Sequence, residues 1–163
     1  GLDAGSFSKA EIDYAQNNLR LLSGMYGVLR PLDYIQPYRL EMGSRLKVTP
    51  KLSNLYKFWD MKITDLLNED SNGTPIVNLA SNEYFKSVKP KSLKSQIITP
   101  IFKDFKNGQY KTIMTFAKNA RGVMARFIIS NQLTDVEQIK LFDGNGYSFD
   151  VKQSRENNWV FVR

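Results

Sequence analysis

The sequence of 163 residues contains no cysteine and no histidine. Without cysteine, the chain cannot form a disulfide or use a thiolate as a nucleophile. Without histidine, it cannot build a Ser-His-Asp triad, a Cys-His pair or a histidine-ligated zinc site. A metal site would need oxygen ligands alone, and a general base would have to be a carboxylate, a lysine or a tyrosine. The sequence therefore indicates no catalytic residue, no metal site and no cofactor, and it favours a binding protein over an enzyme.

Long hydrophobic runs are also missing. No apolar segment approaches the ~20 residues that a membrane-spanning helix needs, and no signal-peptide pattern is visible. The composition, 42% hydrophobic and 24% charged, is ordinary for a globular protein. We expect one domain over residues 1–163 that does not contact a membrane. A chain without disulfides suits the cytoplasm.

Acidic residues are nearly absent from one part of the chain. The formal net charge is +7. The segment Lys86 to Arg126 contains ten lysines or arginines and one acid, a local net charge of +9, whereas the remaining residues carry −2. Such asymmetry points to a polyanionic partner. A solvated lysine-rich surface is the alternative interpretation.

The segment Gly24 to Leu46 has no helical or strand periodicity but is rich in large side chains. It contains two prolines, three glycines, three tyrosines and three arginines, the last being Arg30, Arg39 and Arg45. A loop of this composition is expected to pack, and its arginines need anionic partners. Those partners are either the loop's own acids, Asp33 and Glu41, or a bound phosphate or carboxylate.

Local patterns predict the regular elements. Ser8 and Glu11 form a capping box that opens a helix running to Leu22, with Gly24 just past its end. The Asn107-Gly108 pair between two alternating runs predicts a β-hairpin. The other elements predicted are a helix from Thr49-Pro50 to about Asn68, a strand over Pro75 to Ala80, a short helix capped by Ser81, hairpin arms at 96–105 and 109–116, a helix at about 118–131, and a strand pair at 147–151 and 159–162. Together they predict an α+β fold with a mixed, largely antiparallel sheet and three to four covering helices.

The helix predicted near 118–131 has two faces. One face is apolar, and the opposite face aligns Lys118 and Arg126 around Gly122 and Ala125. Glycine costs ~1 kcal/mol relative to alanine inside a helix, so Gly122 indicates a close approach by another group. That group is either a nucleic-acid backbone or another part of the protein.

Four motifs give the sequence a family resemblance. LSGMYGVLRPLDYIQPYRLEMG (Leu22 to Gly43), NLASNEYFKSVKPK (Asn78 to Lys91), AKNARGVMARFII (Ala117 to Ile129) and GYSFD (Gly146 to Asp150) resemble, in order, the YaaA family of bacterial peroxide-stress proteins. The resemblance implies a role in limiting oxidative DNA damage, and a fold with a positively charged cleft and a helix-hairpin-helix element. In the family, a sequence like GLDA lies well inside the protein, so we expect this chain to be the C-terminal portion, with an N-terminal portion missing.

The helix-hairpin-helix element implied by the family has no clear counterpart here. The nearest match is Leu22 to Leu29, but its glycines are three residues apart instead of two. The element is therefore expected in the missing N-terminal portion or at this imperfect match.

We predict a peroxide-stress protein that binds duplex or branched DNA through phosphates and helps limit iron-mediated damage. The alternative is an enzyme that acts on a phosphorylated small molecule or nucleotide at the loop 24–46. Direct iron sequestration is disfavoured, because iron sites use histidine, cysteine or clustered carboxylates and the acids here are dispersed. The predicted phosphate-binding residues are Lys86, Lys89, Lys91, Lys118, Arg121, Arg126, Arg30, Arg39 and Arg45.

Overall fold

The computed structural model describes every residue of the chain, Gly1–Arg163. Its α-helices and β-strands alternate irregularly along the sequence. The helices are Lys9–Asn18 (α1), Leu55–Trp59 (α2), Lys62–Ser71 (α3), Asn82–Phe85 (α4) and Met114–Ser130 (α5). The strands are Leu21–Ser23 (β1), Gly27–Leu29 (β2), Ile76–Val77 (β3), Ile97–Lys106 (β4), Gln109–Lys111 (β5), Ser148–Phe149 (β6) and Asn158–Val162 (β7).

Contacts within the predicted span 1–163 cluster into two compact units. The sheet unit comprises Gly1–Tyr14, Pro75–Leu79 and Ile97–Arg163. The loop unit comprises Ala15–Thr74 and Ala80–Gln96. Each unit has its own hydrophobic core, and each is described by itself below.

The sheet unit is built around β4. This strand pairs in parallel with β3 and β7 and antiparallel with β5, while β6 pairs antiparallel with β7. The β4–β7 pairing, from Thr99↔Asn158 to Lys103↔Val162, is the longest. Alternate residues of β4 are buried, which is the period-2 pattern of a strand with one face on a core. The predicted α+β class and mixed sheet are confirmed: two of the four strand pairs in this sheet are antiparallel, and the separate β1–β2 pair of the loop unit is antiparallel as well.

Helix α5 lies on this core. Ala120 and Met124 are fully buried, and the rings of Phe102, Phe142 and Phe161 pack around them in the same cluster. The predicted apolar face of the helix is therefore confirmed. The helix begins at Met114 rather than near 118, so the prediction that the second hairpin arm extends to 116 is wrong. Strand β5 ends at Lys111.

The first helix is shorter than predicted. The Ser8–Glu11 capping box is present, but α1 ends at Asn18 instead of Leu22. The Arg20 guanidinium donates to the carbonyl oxygens of residues 16, 17 and 19, and these bonds satisfy acceptors that a continuing helix would have used.

The residues after α1 form a strand pair instead of helix. Strand β1 pairs antiparallel with β2 in the register Leu22↔Val28. This corrects two predictions: Gly24 does not follow a helix, and the segment 24–46 includes a strand. The imperfect match at Leu22 to Leu29 is likewise a β-pair and not a helix-hairpin-helix.

The second helix is two helices. The prediction that it begins at Thr49-Pro50 is wrong, because Thr49 Oγ1 accepts a hydrogen bond from the Leu52 amide in a turn. The Asn54 side chain caps α2 by accepting from the Lys57 amide at 2.9 Å. Asp60 then adopts φ = 40°, a left-handed value that a continuous α-helix cannot contain. The loop unit buries Met42, Leu55, Ile63, Leu67 and Val88 as its core.

Candidate nucleic-acid interface

The loop 24–46 is packed onto its own unit by its aromatic residues. The Tyr38 hydroxyl lies 2.6 Å from Ser23 Oγ, and the rings of Tyr26 and Tyr38 meet edge to face at 5.4 Å. Trp59 Nε1 donates to the Gly24 carbonyl oxygen at 3.0 Å. These contacts position the loop, as its composition predicted, and its arginines project from an ordered backbone.

The three arginines of this loop have different surroundings. Arg30 pairs with Asp70, with 3.2 Å between Nη2 and Oδ1. Asp70 also accepts from Arg20, and this hydrogen bond contributes most to lowering the pKa of the Asp70 carboxyl. Arg39 and Arg45 are exposed, and the structure gives neither of them an ion pair or a hydrogen bond. The interpretation that Asp33 and Glu41 neutralise the loop's arginines is therefore wrong, since Arg30 finds its acid on α3.

Helix α4 is attached to the loop by two hydrogen bonds. Gly43 N donates to Glu83 Oε1 at 2.7 Å, and the Tyr84 hydroxyl donates to Glu41 Oε2 at 2.7 Å. Burial, and secondarily the bond to Glu41, raises the pKa of Tyr84 to about 12, so this hydroxyl stays a donor well above neutral pH. Ser81 caps the helix, as predicted, by accepting from the Tyr84 amide. Glu83 and Tyr84 of α4 therefore hold the loop at Gly43 and Glu41, and we call these two hydrogen bonds the α4 clasp.

The α4 clasp brings cations from distant parts of the sequence together. Arg39 is two residues before Glu41, Arg45 is two residues after Gly43, and Lys86 is two residues after Tyr84. Since consecutive Cα atoms are 3.8 Å apart, each cation's Cα lies within about 8 Å of a clasp residue. We call these three cations, together with Lys89 and Lys91, which follow Lys86 by three and five residues in the sequence, the basic surface of the loop unit.

The lysines of this basic surface lie on a fixed backbone. Lys89 N donates to Thr64 Oγ1 at 3.0 Å and Lys94 N donates to Asn68 Oδ1 at 2.8 Å, so α3 holds both ends of the segment 89–94. Lys91 is exposed without an ion pair.

The other two lysines of the surface have weak partners. Lys86 Nζ lies 5.2 Å from the centre of the Tyr56 ring. Lys89 Nζ is 3.8 Å from Asp60, with both side chains exposed, and an exposed pair of this kind contributes ~0–1 kcal/mol.

The sheet unit carries the other three predicted cations, all on α5. Lys118 is exposed. Arg121 donates from Nε to the Ala117 carbonyl oxygen at 3.2 Å, and burial lowers the pKa of its guanidinium. Arg126 is engaged most, because its Nη1 donates to the carbonyl oxygens of Leu2 and Asp3 and to Ser6 Oγ.

The close approach predicted at Gly122 is made by the protein itself. A Cβ at Gly122 would lie 3.0 Å from Gly1 Cα and 3.0 Å from Leu2 N. Together with the Arg126 hydrogen bonds, this packing covers part of the small-and-cationic face of α5 with residues 1–6. Of the two interpretations of that face, the structure supports a contact within the protein.

The loop unit also contains a groove between β2 and α3. Two cavities of about 290 Å³ each share Val28 and Leu66 as lining residues. One end is polar, and its lining includes Arg20, Arg30 and Asp70. Both guanidiniums already pair with Asp70, and Asp33 also lines the cavity, so two acids balance the two arginines and leave little charge for a phosphate. Arg20 and Asp70 were missed from the sequence, because only the fold joins residues 50 positions apart.

Comparison with known proteins agrees with the motifs. The profile of the peroxide stress protein YaaA family matches residues 1–153. The chain belongs to the YaaA family. UPF0246 proteins from Aliivibrio fischeri and Colwellia psychrerythraea are 58% and 57% identical to it over its whole length. A further UPF0246 protein from Idiomarina loihiensis is 55% identical. The chain spans 64% of the length of each of these relatives.

Two further features describe the whole of this YaaA-family chain. None of its helices combines the length and the apolar character that crossing a membrane requires. Its acidic side chains do not gather into a group that could hold a metal ion.

Proposed function

We propose that this YaaA-family protein acts in the cytoplasm under peroxide stress by binding DNA without sequence preference, and so helps limit iron-mediated damage. The observation that supports the proposal is the basic surface of the loop unit. Arg39, Arg45 and Lys91 are exposed and have no anionic partner there, and Lys89 has only a weak exposed one. Cations in this state exchange water and counterions for phosphate oxygens at little structural cost.

Two features of this surface suit phosphates better than bases. Three of its five cations are lysines, which lack the flat fork with which arginine reads guanine edges, and residues 87–95 contain no aromatic ring. Phosphate contacts position a protein on nucleic acid without carrying sequence information. Binding through this surface is therefore expected to depend strongly on salt and weakly on sequence.

The test is fluorescence-anisotropy binding to labelled duplex and branched DNA over a series of salt concentrations. For the unmodified protein, we expect the logarithm of the association constant to fall linearly with the logarithm of the salt concentration, at about 0.9 per duplex phosphate contacted. Replacing Arg39 and Lys91 by glutamine should reduce that slope by about 0.9 for each lost contact. The loss of affinity should be the same for unrelated DNA sequences.

A matched control removes the same charge elsewhere. Lys9 and Lys152 are exposed and lie outside the predicted binding residues, so the Lys9→Gln, Lys152→Gln variant has the same net charge as the test variant. It should keep the salt slope of the unmodified protein. Equal slopes for the two variants would contradict the proposed surface, and no DNA binding by the folded protein at low salt would contradict the function.

The protective role is tested on the same variants. Supercoiled plasmid exposed to ferrous iron and peroxide should be nicked more slowly when the unmodified protein is bound. The Arg39→Gln, Lys91→Gln variant should protect less, in proportion to its weaker binding. Equal protection by both proteins would show that the slower nicking does not depend on DNA binding through this surface.

A further inference from the structure

The groove between β2 and α3 joins a polar end to an aromatic end. It consists of two cavities of about 290 Å³ each, and the side chains of Val28 and Leu66 line both of them. Ligand pockets in proteins typically measure about 300–1,000 Å³, so the two cavities together have room for one small molecule that extends past Val28 and Leu66. No residue of the groove belongs to the basic surface of the loop unit.

The polar end of the groove carries no net charge. It is lined by two arginines and two acids, namely Arg20, Arg30, Asp33 and Asp70. The two carboxylate oxygens of Asp70 are both occupied, because each accepts from one of the guanidiniums. A phosphate at this end would meet as much negative as positive charge, so the polar end favours an uncharged ligand.

Three side chains that line the polar end keep hydrogen-bonding groups free. One carboxylate oxygen of Asp33 accepts from the Arg30 amide at 2.8 Å, and the other oxygen has no partner. The Gln16 side-chain oxygen accepts from the Leu32 amide at 2.9 Å, which leaves the Gln16 NH₂ group without a partner. Arg30 uses only Nη2 in its pair with Asp70. One acceptor and several donors are therefore available to the hydroxyls of a ligand.

The aromatic end offers ring surface without free polar groups. Tyr26 and Trp59 line this end together with aliphatic side chains. The Tyr26 hydroxyl accepts from the Gln36 amide at 3.0 Å, and Trp59 Nε1 donates to the Gly24 carbonyl oxygen at 3.0 Å. Neither partner lines the cavity, so the two side chains present the carbon atoms of their rings to a ligand.

Lys62 is the one cation at the aromatic end. Its Nζ donates to the Phe58 carbonyl oxygen at 3.3 Å and lies 4.3 Å from the centre of the Phe58 ring. Neither contact neutralises the charge of Lys62. A phosphate bound to Lys62 is therefore the alternative that an experiment must separate from an uncharged ligand.

We propose that the groove between β2 and α3 binds a nucleoside, with its base stacked at the aromatic end and its ribose hydroxyls bonded at the polar end. Bases stack on aromatic side chains because every base has a flat π-face. A carboxylate accepts from ribose hydroxyls in dinucleotide-binding folds, and Asp33 supplies such an acceptor here. A nucleoside joins a flat ring system to neighbouring uncharged hydroxyls, which matches the two ends of the groove. The inference does not depend on DNA binding.

The experiment is isothermal titration calorimetry with adenosine, 2′,3′-dideoxyadenosine, ribose and adenosine monophosphate. Adenosine should bind to the unmodified protein at a single site. Dideoxyadenosine lacks two ribose hydroxyls and should bind roughly 10- to 150-fold more weakly, the range for hydrogen bonds to a charged group. Ribose lacks the base and should also bind more weakly than adenosine. Tighter binding of adenosine monophosphate than of adenosine would overturn the inference and favour a phosphate on Lys62.

The Asp33→Asn variant tests the polar end. The asparagine oxygen still accepts from the Arg30 amide, so the turn is kept, but the free carboxylate oxygen is replaced by a donor. This variant should bind adenosine roughly 10- to 150-fold more weakly and should bind dideoxyadenosine as the unmodified protein does. An equal loss of affinity for both compounds would show that Asp33 acts only on the structure of the loop, and would overturn the ribose assignment.

The Leu66→Phe variant tests the position of the ligand. Leu66 is 39% exposed and lies where the two cavities meet, so the larger phenylalanine would fill the space that a ligand must cross. Leu46 is 42% exposed and lines neither cavity, which makes Leu46→Phe a matched control. Adenosine binding should be lost in Leu66→Phe and unchanged in Leu46→Phe. Equal adenosine binding by the two variants would overturn the proposed position.

Tryptophan fluorescence measures the stacking directly. The chain contains two tryptophans, and Trp159 is 6% exposed in the sheet unit. In a Trp159→Phe variant, all tryptophan emission comes from Trp59, and adenosine should quench it whereas ribose should not. Adenosine binding without this quenching would overturn the stacking at the aromatic end.

The outcomes distinguish this inference from the proposed function. The Arg39→Gln, Lys91→Gln variant should bind adenosine as the unmodified protein does, because neither residue lines the groove. Salt-dependent DNA binding without adenosine binding would overturn the groove's role and leave the function standing. Adenosine binding without DNA binding would support the groove's role and overturn the function.

Discussion

The bonds that hold Asp104 predict a measurable loss of stability when they are removed. Replacing Tyr147 by phenylalanine deletes the hydroxyl that donates to Asp104 Oδ2 at 2.9 Å. The ring would keep its edge-to-face contact with Phe102, whose centroid is 5.2 Å away. A hydrogen bond to a charged group contributes about 1.5–3 kcal/mol. A chain of this length shifts its Tm by about 2–4 °C for each kcal/mol, so we expect Tm to fall by roughly 3–12 °C.

Replacing Asp104 by alanine should cost about 2–4 kcal/mol. Removing one partner of a buried ion pair costs about 3–5 kcal/mol, and the value here is reduced because the Arg163 side chain is 31% exposed. The double variant should be less destabilised than the sum of the two single variants, with a coupling of about 0.5–3 kcal/mol, since both changes delete the same bond.

The assay is urea unfolding followed by hydrogen exchange of β4 and β7 peptides, which reports on the sheet unit alone. Tyr110→Phe is the control, because its hydroxyl is exposed and has no hydrogen bond; it should change stability by less than about 0.5 kcal/mol. Strictly additive losses in the double variant, or a Tyr147→Phe effect no larger than the control, would refute the reasoning.

Three further predictions concern local strain and pH. Gly27→Ala should destabilise the loop unit by about 2–4 kcal/mol in urea unfolding, because Gly27 has φ = 77° and a Cβ would lie 2.7 Å from Trp59 Cζ3. An unchanged urea midpoint would show that the Trp59 ring simply moves away. The folded-state pKa of Asp70 is lowered, chiefly by its bond from Arg20, so its contribution is present above the unfolded pKa and is lost as pH falls through the folded pKa. Asp70→Asn should therefore flatten the acid limb of a stability–pH curve, and a curve parallel to that of the unmodified protein would count against this. Burial, with the bond to Asp104, raises the pKa of Tyr147 from 10.0 to about 12. The contribution of Tyr147 to the free energy of unfolding is therefore complete below pH 10 and is lost as pH rises towards 12. Between these pH values, the Tyr147→Phe variant should lose less stability than the unmodified protein in the same unfolding assay.

Local chemistry was sufficient to predict some of the fold. The capping box works within four residues, and Ser8 N donates to Glu11 Oε2 at 2.7 Å as expected. The Asn107-Gly108 turn is equally local, since its φ values are ones that these two residues adopt readily. The apolar face of α5 was predictable because its spacing fits a helix over four turns.

The errors occurred where partners distant in sequence decide the structure. Leu19 and Leu22 continue a helical spacing, but pairing with β2 gives residues 21–23 a strand instead. No proline or glycine beside Asp60 indicates the break between α2 and α3 in the sequence. At residues 21–23, a tertiary contact overrode helix propensity.

The candidate site was predicted as residue types and not as an arrangement. The positive segment identified Lys86, Lys89 and Lys91, but the link between Lys86 and the loop that carries Arg39 and Arg45 depends on the α4 clasp, whose bonds join residues 40 or more positions apart. Arg126 resembled a free cation in the sequence. Its partners are Leu2, Asp3 and Ser6, more than 115 positions away, and no local pattern reports them.

The sequence order of the two units has a consequence for synthesis on the ribosome. The loop unit is complete once residue 96 has emerged, whereas the sheet unit needs β7, which ends at Val162. Strand β3 must therefore wait, unpaired, until β4 follows it, and β4 must wait until β7 arrives to form the longest pairing. A nascent chain would carry one finished unit and exposed strand edges for tens of residues, the condition in which chaperones are most needed. Slowing translation after residue 96 should lengthen that interval and lower the yield of folded protein.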